Sequence, residues 1–388
     1  MSNPTLNRFE LATPARVIFG VGTLGDAGTL AREYGRRALV VTGPSPGRAA
    51  ALLASLTAAG VAAETFSFAG EPATHQVAAG AARAREQGCA VVLGFGGGSA
   101  IDAAKAIAAL VTNGGDLLDY LEVIGRGQTL AHAAAPCLAI PTTAGAGAEV
   151  TRNAVLFSPE HRVKVSLRSL KLLPRVALVD PALTLSLPKT ITASTGLDAL
   201  TQLIEPLVSL RANPITDALC REGIARVVRS LRAAWQAGET LAAREDMSVA
   251  SLCGGLALAN AGLGAAHGFA APLGGMFPAP HGAVCAALLP HVMAANARAL
   301  RRQSAGAVAR LDEVARLLTG SERAVAEDGA AWVSELCNDL QIPGLGRYGV
   351  TPGDIPDIVE KAQAASSMKA NPVALSTEEL RDILARAI

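Results

Sequence analysis

Near Asp180-Pro181 the chain changes its hydrophobic rhythm, and that change limits the folds open to it. Before this point short β-rich runs alternate with alanine-rich helical runs. Arg37–Thr42 reads as a strand, followed by the turn residues Gly43-Pro44-Ser45-Pro46-Gly47 and a helix through Leu56. Ala63–Phe68 reads as a second strand, Ala78–Gln87 as a helix and Cys89–Gly94 as a third strand, with short buried strands at Leu138–Pro141 and Val176–Val179. Such alternation implies a parallel sheet covered on both faces. From about Pro188 long helical periods take over: Ile191–Val208, Asn213–Ala234, Glu239–Ala261, Ala283–Ala299 and Val308–Leu318. The expected architecture is an α/β domain with a parallel sheet over residues 1–186, followed by an all-α domain over 187–388. A chain of 388 residues is long enough to give each part its own core.

Composition narrows the function classes. Half of the residues are hydrophobic and 17% are charged, which fits a globular protein and excludes a disordered one. A net charge of +1 carries no electrostatic footprint for nucleic acid or an acidic membrane, so neither is an expected partner. The clusters Arg226, Arg229, Arg232 and Arg298, Arg301, Arg302 read as solvated helix faces. The opening MSNPTLNRFELATPARVIFG lacks the apolar core of a secretory signal. Six scattered cysteines without a CxxC pair fit thiols of a cytoplasmic protein better than a disulfide framework or a cysteine zinc site. No Asp, Glu, Lys or Arg occurs between Asp246 and Arg298, yet glycines, prolines, His267 and His281 interrupt the run. It reads as protein interior lining a site, and no membrane span is expected.

Two loops carry a binding signal. Gly94-Phe95-Gly96-Gly97-Gly98-Ser99-Ala100-Ile101-Asp102 follows a strand and opens a helix from Ser99 to about Val111. Adjacent glycines let the backbone approach a pyrophosphate, and the helix start offers free N–H groups and a positive dipole end. Ser99 and Asp102 stand at the spacing of an N-terminal capping box. The competing reading is a plain tight connection; the strand-before, helix-after context favours the phosphate. A second segment, Pro141-Thr142-Thr143-Ala144-Gly145-Ala146-Gly147-Ala148-Glu149, follows a strand directly and suits the crevice where open α/β sheets bind ligands.

In the helical part, Asp198 and Gln202 stand at i and i+4 on one helix face. A lone histidine in apolar sequence is usually a satisfied core residue. His267 and His281 together with an aspartate in uncharged surroundings point instead to a divalent metal, which would compensate the burial of Asp198.

Taken together, these segments resemble the iron-containing (group III) alcohol dehydrogenase family, which shares its fold with glycerol dehydrogenase and dehydroquinate synthase. GGGSAIDAAK resembles the family's GGGSxxDxxK, PTTAGAGAEVT its PTTAGTGSEVT, VALVDPALT and GLDALT its stretches leading into the metal site, and AAHGFAAPLGGMFPAPHG its two-histidine segment. The resemblance implies a dinucleotide-binding domain followed by a helical metal and substrate domain, enclosing a cleft, in a homodimer. It implies a cofactor site at Gly97, Gly98, Ser99 and Asp102, with Thr142 and Thr143 lining it, Lys164 and Leu183 at the nucleoside or ribose, and Gly43 after the first strand. It implies Asp198, His267 and His281 as catalytic residues and metal ligands. Gln202 stands where the family has a fourth ligand, usually histidine, and Ala271 where it commonly has a proton-relaying histidine.

The expected function is hydride transfer between NAD or NADP and a small alcohol or aldehyde, assisted by Fe2+ or Zn2+ held by Asp198, Gln202, His267 and His281. Three rivals remain: a metal-independent oxo-acid reductase resembling maleylacetate reductases, a lyase of the dehydroquinate synthase type, and a catalytically silent dinucleotide-binding protein. For the first two the motif segments offer no clear basic partner for an acidic substrate. Where the family often has an aspartate that repels a 2′-phosphate, this chain has Gly43, followed by Ser45 and Arg48, so NADP is tolerated in principle.

Overall fold

The computed structural model describes residues 8–161 and 163–388; the first residues of the opening segment lie outside it. In chain order the first part runs β1 (Arg16–Phe19), α1 (Ala27–Arg32), β2 (Arg37–Thr42), α2 (Ala50–Ala58), β3 (Ala62–Ser67), α3 (Thr74–Glu86), β4 (Val91–Gly96), α4 (Gly98–Thr112), β5 (Cys137–Pro141), β6 (Asn153–Ser158), β7 (Val163–Arg168) and β8 (Val176–Val179). Helices follow: α5 (Lys189–Val208), α6 (Pro214–Gln236), α7 (Leu241–Ala261), α8 (Ala265–Met276), α9 (His281–Gln303), α10 (Ala309–Thr319), α11 (Ala326–Asp339), α12 (Ile355–Ala364) and α13 (Thr377–Ala387). The protein is therefore an α/β unit with a parallel sheet joined to a mostly helical one.

Six strands form one sheet in the order β1-β8-β5-β4-β2-β3, every pair parallel. Its central strands are continuous apolar runs because helices cover both faces: Ala38–Val41 on β2 and Val91–Leu93 on β4 are wholly buried. Two strand features escaped the sequence reading. Strand β1 is a short, largely exposed edge and offers no buried run. The β6–β7 hairpin is a separate antiparallel pair whose burial alternates, with Asn153, Lys164 and Arg168 at less buried positions. Helix α3 starts at Thr74, ahead of the expected Ala78, because the Gln76 side chain accepts the Ala73 N–H at 2.9 Å and closes the first turn.

The arginine clusters are more than solvated faces. Arg226 and Arg229 both grip Asp246 on α7, at 2.8 and 2.7 Å, and Arg301 pairs with Glu327 on α11 at 2.6 Å. The uncharged stretch is interior, as its glycines and histidines led us to expect. Helix α9 is long and apolar enough to cross a membrane, but 78% of its most apolar window is buried inside the protein. Pro290 inside α9 cannot donate to the Ala286 carbonyl one turn back, and the Cys337 thiol of α11 does so instead at 3.4 Å.

Candidate active site

Strand β2 continues to β3 on one side of the sheet and β4 continues to β5 on the other. The chain therefore reverses its direction of travel between β2 and β4, and a crevice opens at their carboxyl ends. Glycines set the geometry there. A Cβ on Gly94 would meet Ala104 at 2.8 Å, and Gly96, at φ +153°, would bring one within 2.7 Å of the Ala100 methyl. Only glycine lets α4 lie this close on the strand it follows. The same Gly96 position is 3.9 Å from the Gly43 nitrogen, and a Gly97 Cβ would lie 3.4 Å from the Thr143 methyl. Thr142 donates its N–H to the Gly96 carbonyl at 2.8 Å. Gly43, Gly97, Gly98, Ser99, Thr142 and Thr143 thus gather at the ends of three adjacent strands.

One expectation about these loops is corrected. The capping box of Ser99 and Asp102 does not form: α4 begins at Gly98, its cap residue is Gly97, and no side chain caps it. Both oxygens of Asp102 are engaged elsewhere, one with Lys105 Nζ at 2.8 Å and the other with the Val155 N–H at 3.0 Å. The glycines of the second loop serve packing against the helical part. A Cβ on Gly145 would strike the Thr195 carbonyl at 2.7 Å, and one on Gly255 of α7 would strike the Gly147 carbonyl at 2.5 Å.

Lys105 was not singled out in the sequence, yet it locks the two loops together. It is wholly buried and donates to the Ala148 carbonyl at 2.9 Å, the Thr151 hydroxyl at 3.0 Å and the Asn153 carbonyl. Leu183 lies in the turn after β8, where Arg48 approaches its carbonyl at 3.4 Å and the Ser186 hydroxyl at 3.3 Å. Lys164 stands on β7, paired with Glu71 at 2.8 Å and facing Gly274 of α8.

The polar cluster of the helical part is assembled from three helices. Asp198 lies in the middle of α5, His267 in the first turn of α8, and His281 is the first residue of α9, directly after Pro280. Gly282 permits the approach: a Cβ there would meet the Ser194 carbonyl of α5 at 2.5 Å. His267 Nε2 is 3.5 Å and His281 Nε2 3.8 Å from the same oxygen, Asp198 Oδ1. Asp198 Oδ1, Gln202 Oε1 and His267 Nε2 are buried without a hydrogen-bond partner. Burial pushes the Asp198 carboxyl up, but His281 and His267 outweigh this and hold it below the usual carboxylate range.

Two members of the cluster went unread in the sequence. Glu205, one further turn along the Asp198 face of α5, accepts from His267 Nδ1 at 2.7 Å and from the Ala266 N–H at 2.7 Å. Cys285, one turn after His281 on α9, joins Asp198, His267 and His281 in a group whose donor atoms all lie within 4.8 Å of one another. The reading of all six cysteines as plain thiols holds for disulfides, since all six are free, but it overlooked this one.

Unpaired buried donors of this kind are costly without a partner. Carboxylate and imidazole atoms converging at these distances fit a divalent cation, and the Glu205–His267 pair is the outer carboxylate that such a ligand commonly has.

The comparisons with known proteins agree along the whole chain. Residues 14–181 match the family described as iron-containing alcohol dehydrogenase, and residues 192–388 match the C-terminal part of the Fe-containing alcohol dehydrogenase family. Alcohol dehydrogenase 4 of Saccharomyces cerevisiae is 39% identical over 317 residues, covering 81% of this chain and 80% of the relative. The 1,3-propanediol dehydrogenase of Klebsiella pneumoniae is 35% identical over 388 residues, 98% of each chain. The crystal structure of a 1,3-propanediol oxidoreductase, 34% identical, superposes with a TM-score of 0.92 over 98% of this chain and 100% of that one. The chain belongs to the iron-containing alcohol dehydrogenase family.

Proposed function

We propose that this chain moves a hydride between a nicotinamide dinucleotide bound at the β2–β4 crevice and a small alcohol or aldehyde held beside Asp198, His267 and His281. As a member of its family it is an NAD(P)-dependent alcohol dehydrogenase or aldehyde reductase. The names of its relatives put short alcohols, 1,3-propanediol among them, first in a substrate screen. In our reading residues 1–186 bind the dinucleotide and 187–388 bind metal and substrate, in a cytoplasmic homodimer.

The observation that carries this reading is the pair of buried, unpartnered donors, Asp198 Oδ1 and His267 Nε2, 3.5 Å apart. When bound there, a divalent ion supplies Lewis acidity toward the substrate oxygen, and the nicotinamide supplies or accepts the hydride. The chain's own residues do the positioning. Glu205 accepts a hydrogen bond from the Nδ1–H of His267, which turns Nε2 toward the cluster. Gly97, Gly98 and Ser99 present the start of α4 to the diphosphate, with Thr142 and Thr143 alongside. Asp102 acts at one remove, holding Lys105 and through it the second loop. Lys164 and Leu183 flank the nucleoside end. Ala271 is exposed and has no proton to give, so water at the open side of His281 would serve in its place.

The test is to purify the protein without added metal, measure its metal content, and follow NADH and NADPH oxidation with short aldehydes before and after chelation. Activity lost on chelation and restored by Fe2+ or Zn2+ is the expected result. Persistent activity in metal-free protein overturns the metal role and makes oxo acids the substrates to screen. Arg48→Ala is expected to lower kcat/KM with NADPH more than with NADH; an equal loss removes Arg48 from phosphate recognition.

A further inference from the structure

Two side chains are available to complete a ligand set begun by Asp198, His267 and His281. Gln202 lies one turn along α5 and offers a neutral amide oxygen, which is buried and unpartnered but lies against α7: a Cβ on Gly254 would come within 3.6 Å of it. Cys285 lies one turn along α9, is wholly buried, and has its sulfur 3.7 Å from His281 Nε2. Donors 2.0–2.3 Å from a tetrahedral centre stand about 3.3–3.6 Å from one another. The separations around Asp198 Oδ1 and His281 Nε2, at 3.5, 3.8 and 3.7 Å, are close to those edges. The sulfur also lies within 4.8 Å of the Asp198 and His267 donor atoms, inside the same group.

We infer that Cys285, and not Gln202, is the fourth metal ligand of this chain, giving an aspartate, two-histidine, one-thiolate set that selects zinc. This rests on the reading of the cluster as a metal centre given above. Zinc accepts carboxylate, imidazole and thiolate together, and thiolate is a far better donor to it than a neutral amide oxygen. It also binds more tightly than Fe2+ to a given set of such ligands. The imidazole of His281 is 40% exposed, so one side of the set stays open while Asp198, His267 and Cys285 lie buried.

The experiment uses the full chain, stripped of metal by a chelator and titrated separately with Zn2+ and Co2+. In wild type we expect one ion per chain, a thiolate-to-cobalt charge-transfer band, and a sulfur scatterer at about 2.3 Å in the zinc absorption spectrum. Cys285→Ser loses the band and binds Zn2+ more weakly by over the roughly 10–100-fold attached to loss of an outer partner; Gln202→Ala keeps the band. Circular dichroism melting of both variants checks their fold, and the wild-type spectra do not depend on them. One ion per chain in an oxygen and nitrogen shell, with no band, overturns the assignment of Cys285 and leaves the metal centre standing. No stoichiometric binding of either ion by wild type overturns both.

Discussion

At the cluster, Glu205 decides which nitrogen of His267 is free. Its carboxylate holds the ring through Nδ1 and also satisfies the Ala266 N–H in the first turn of α8. Removing it releases both. Glu205→Ala is expected to weaken Zn2+ binding by about 10–100-fold, with Glu205→Gln recovering part of the loss, as measured by calorimetric titration of the metal-free protein. Unchanged affinity in the alanine variant would leave Glu205 a purely structural residue. Asp198 and the two histidines were legible because a charge and two imidazoles stand out in an uncharged stretch. Glu205 and Cys285 were not, because each shows only as one more residue on a helix face until α5, α8 and α9 are brought together.

Glu149 is a second case at this scale. It is buried, and burial pushes its carboxyl up to about 7, with Lys105 opposing only in part. The folded protein therefore holds a proton that the unfolded chain, near the ordinary 4.5, releases earlier. The stability linked to that proton is complete below the unfolded value and is lost as pH rises through about 7. Replacing Glu149 by Gln removes this slope. The variant's stability relative to wild type is expected to rise by roughly 2–3 kcal/mol between about pH 5 and pH 8 in urea unfolding. Parallel curves would place the titration elsewhere.

Among the elements, four of the legible strands share a cause. Strands β2, β4, β5 and β8 are buried on both faces, so their sequences are continuous apolar runs, whereas β3 is legible as a strand despite its exposed face. The hairpin β6–β7 and the edge β1 are half-exposed and carry no strand signal in the sequence. The hairpin matters to the site, since Lys105 reaches the Asn153 carbonyl at its start and Asp102 takes the Val155 N–H. A single buried ion pair thus joins α4, the loop after β5 and β6. Lys105→Met is expected to cost about 3–5 kcal/mol, because Asp102 is then buried without its cation. The double variant with Asp102→Asn should recover part of that stability while cofactor affinity stays low. A double variant no more stable than Lys105→Met alone would mean that the pair itself carries little of the cost, and would point to the loop contacts of Lys105.

The two parts of the molecule meet along α7, and also where Gly145 meets α5 and Lys164 meets α8. On α7, Gly255 touches Gly147 of the second loop, and Asn260 near the helix end holds both the N–H and the carbonyl of Ala12, ahead of β1, at 2.6 and 2.9 Å. Near its start the buried Arg244 reaches the Thr192 hydroxyl at 2.9 Å and the Leu187 carbonyl at 3.4 Å, where the last strand's connection passes into α5. No carboxylate pairs with this guanidinium among the described residues, so its hydrogen bonds to the junction are its compensation for burial. Each part has its own apolar core, with Ala144 of the second loop reaching into the helical one, and the contacts along α7 are among those that couple them. Asn260→Ala removes the polar tie to Ala12, and Gly255→Ala drives a methyl against the Gly147 carbonyl, while both cores stay intact. Wild type is expected to unfold in one calorimetric transition and the double variant in two, the parts separating once α7 no longer binds them. If the double variant still melts in one step at a lower Tm, the coupling lies in the remaining contacts, Gly145 against Thr195 of α5 and Lys164 against Gly274 of α8.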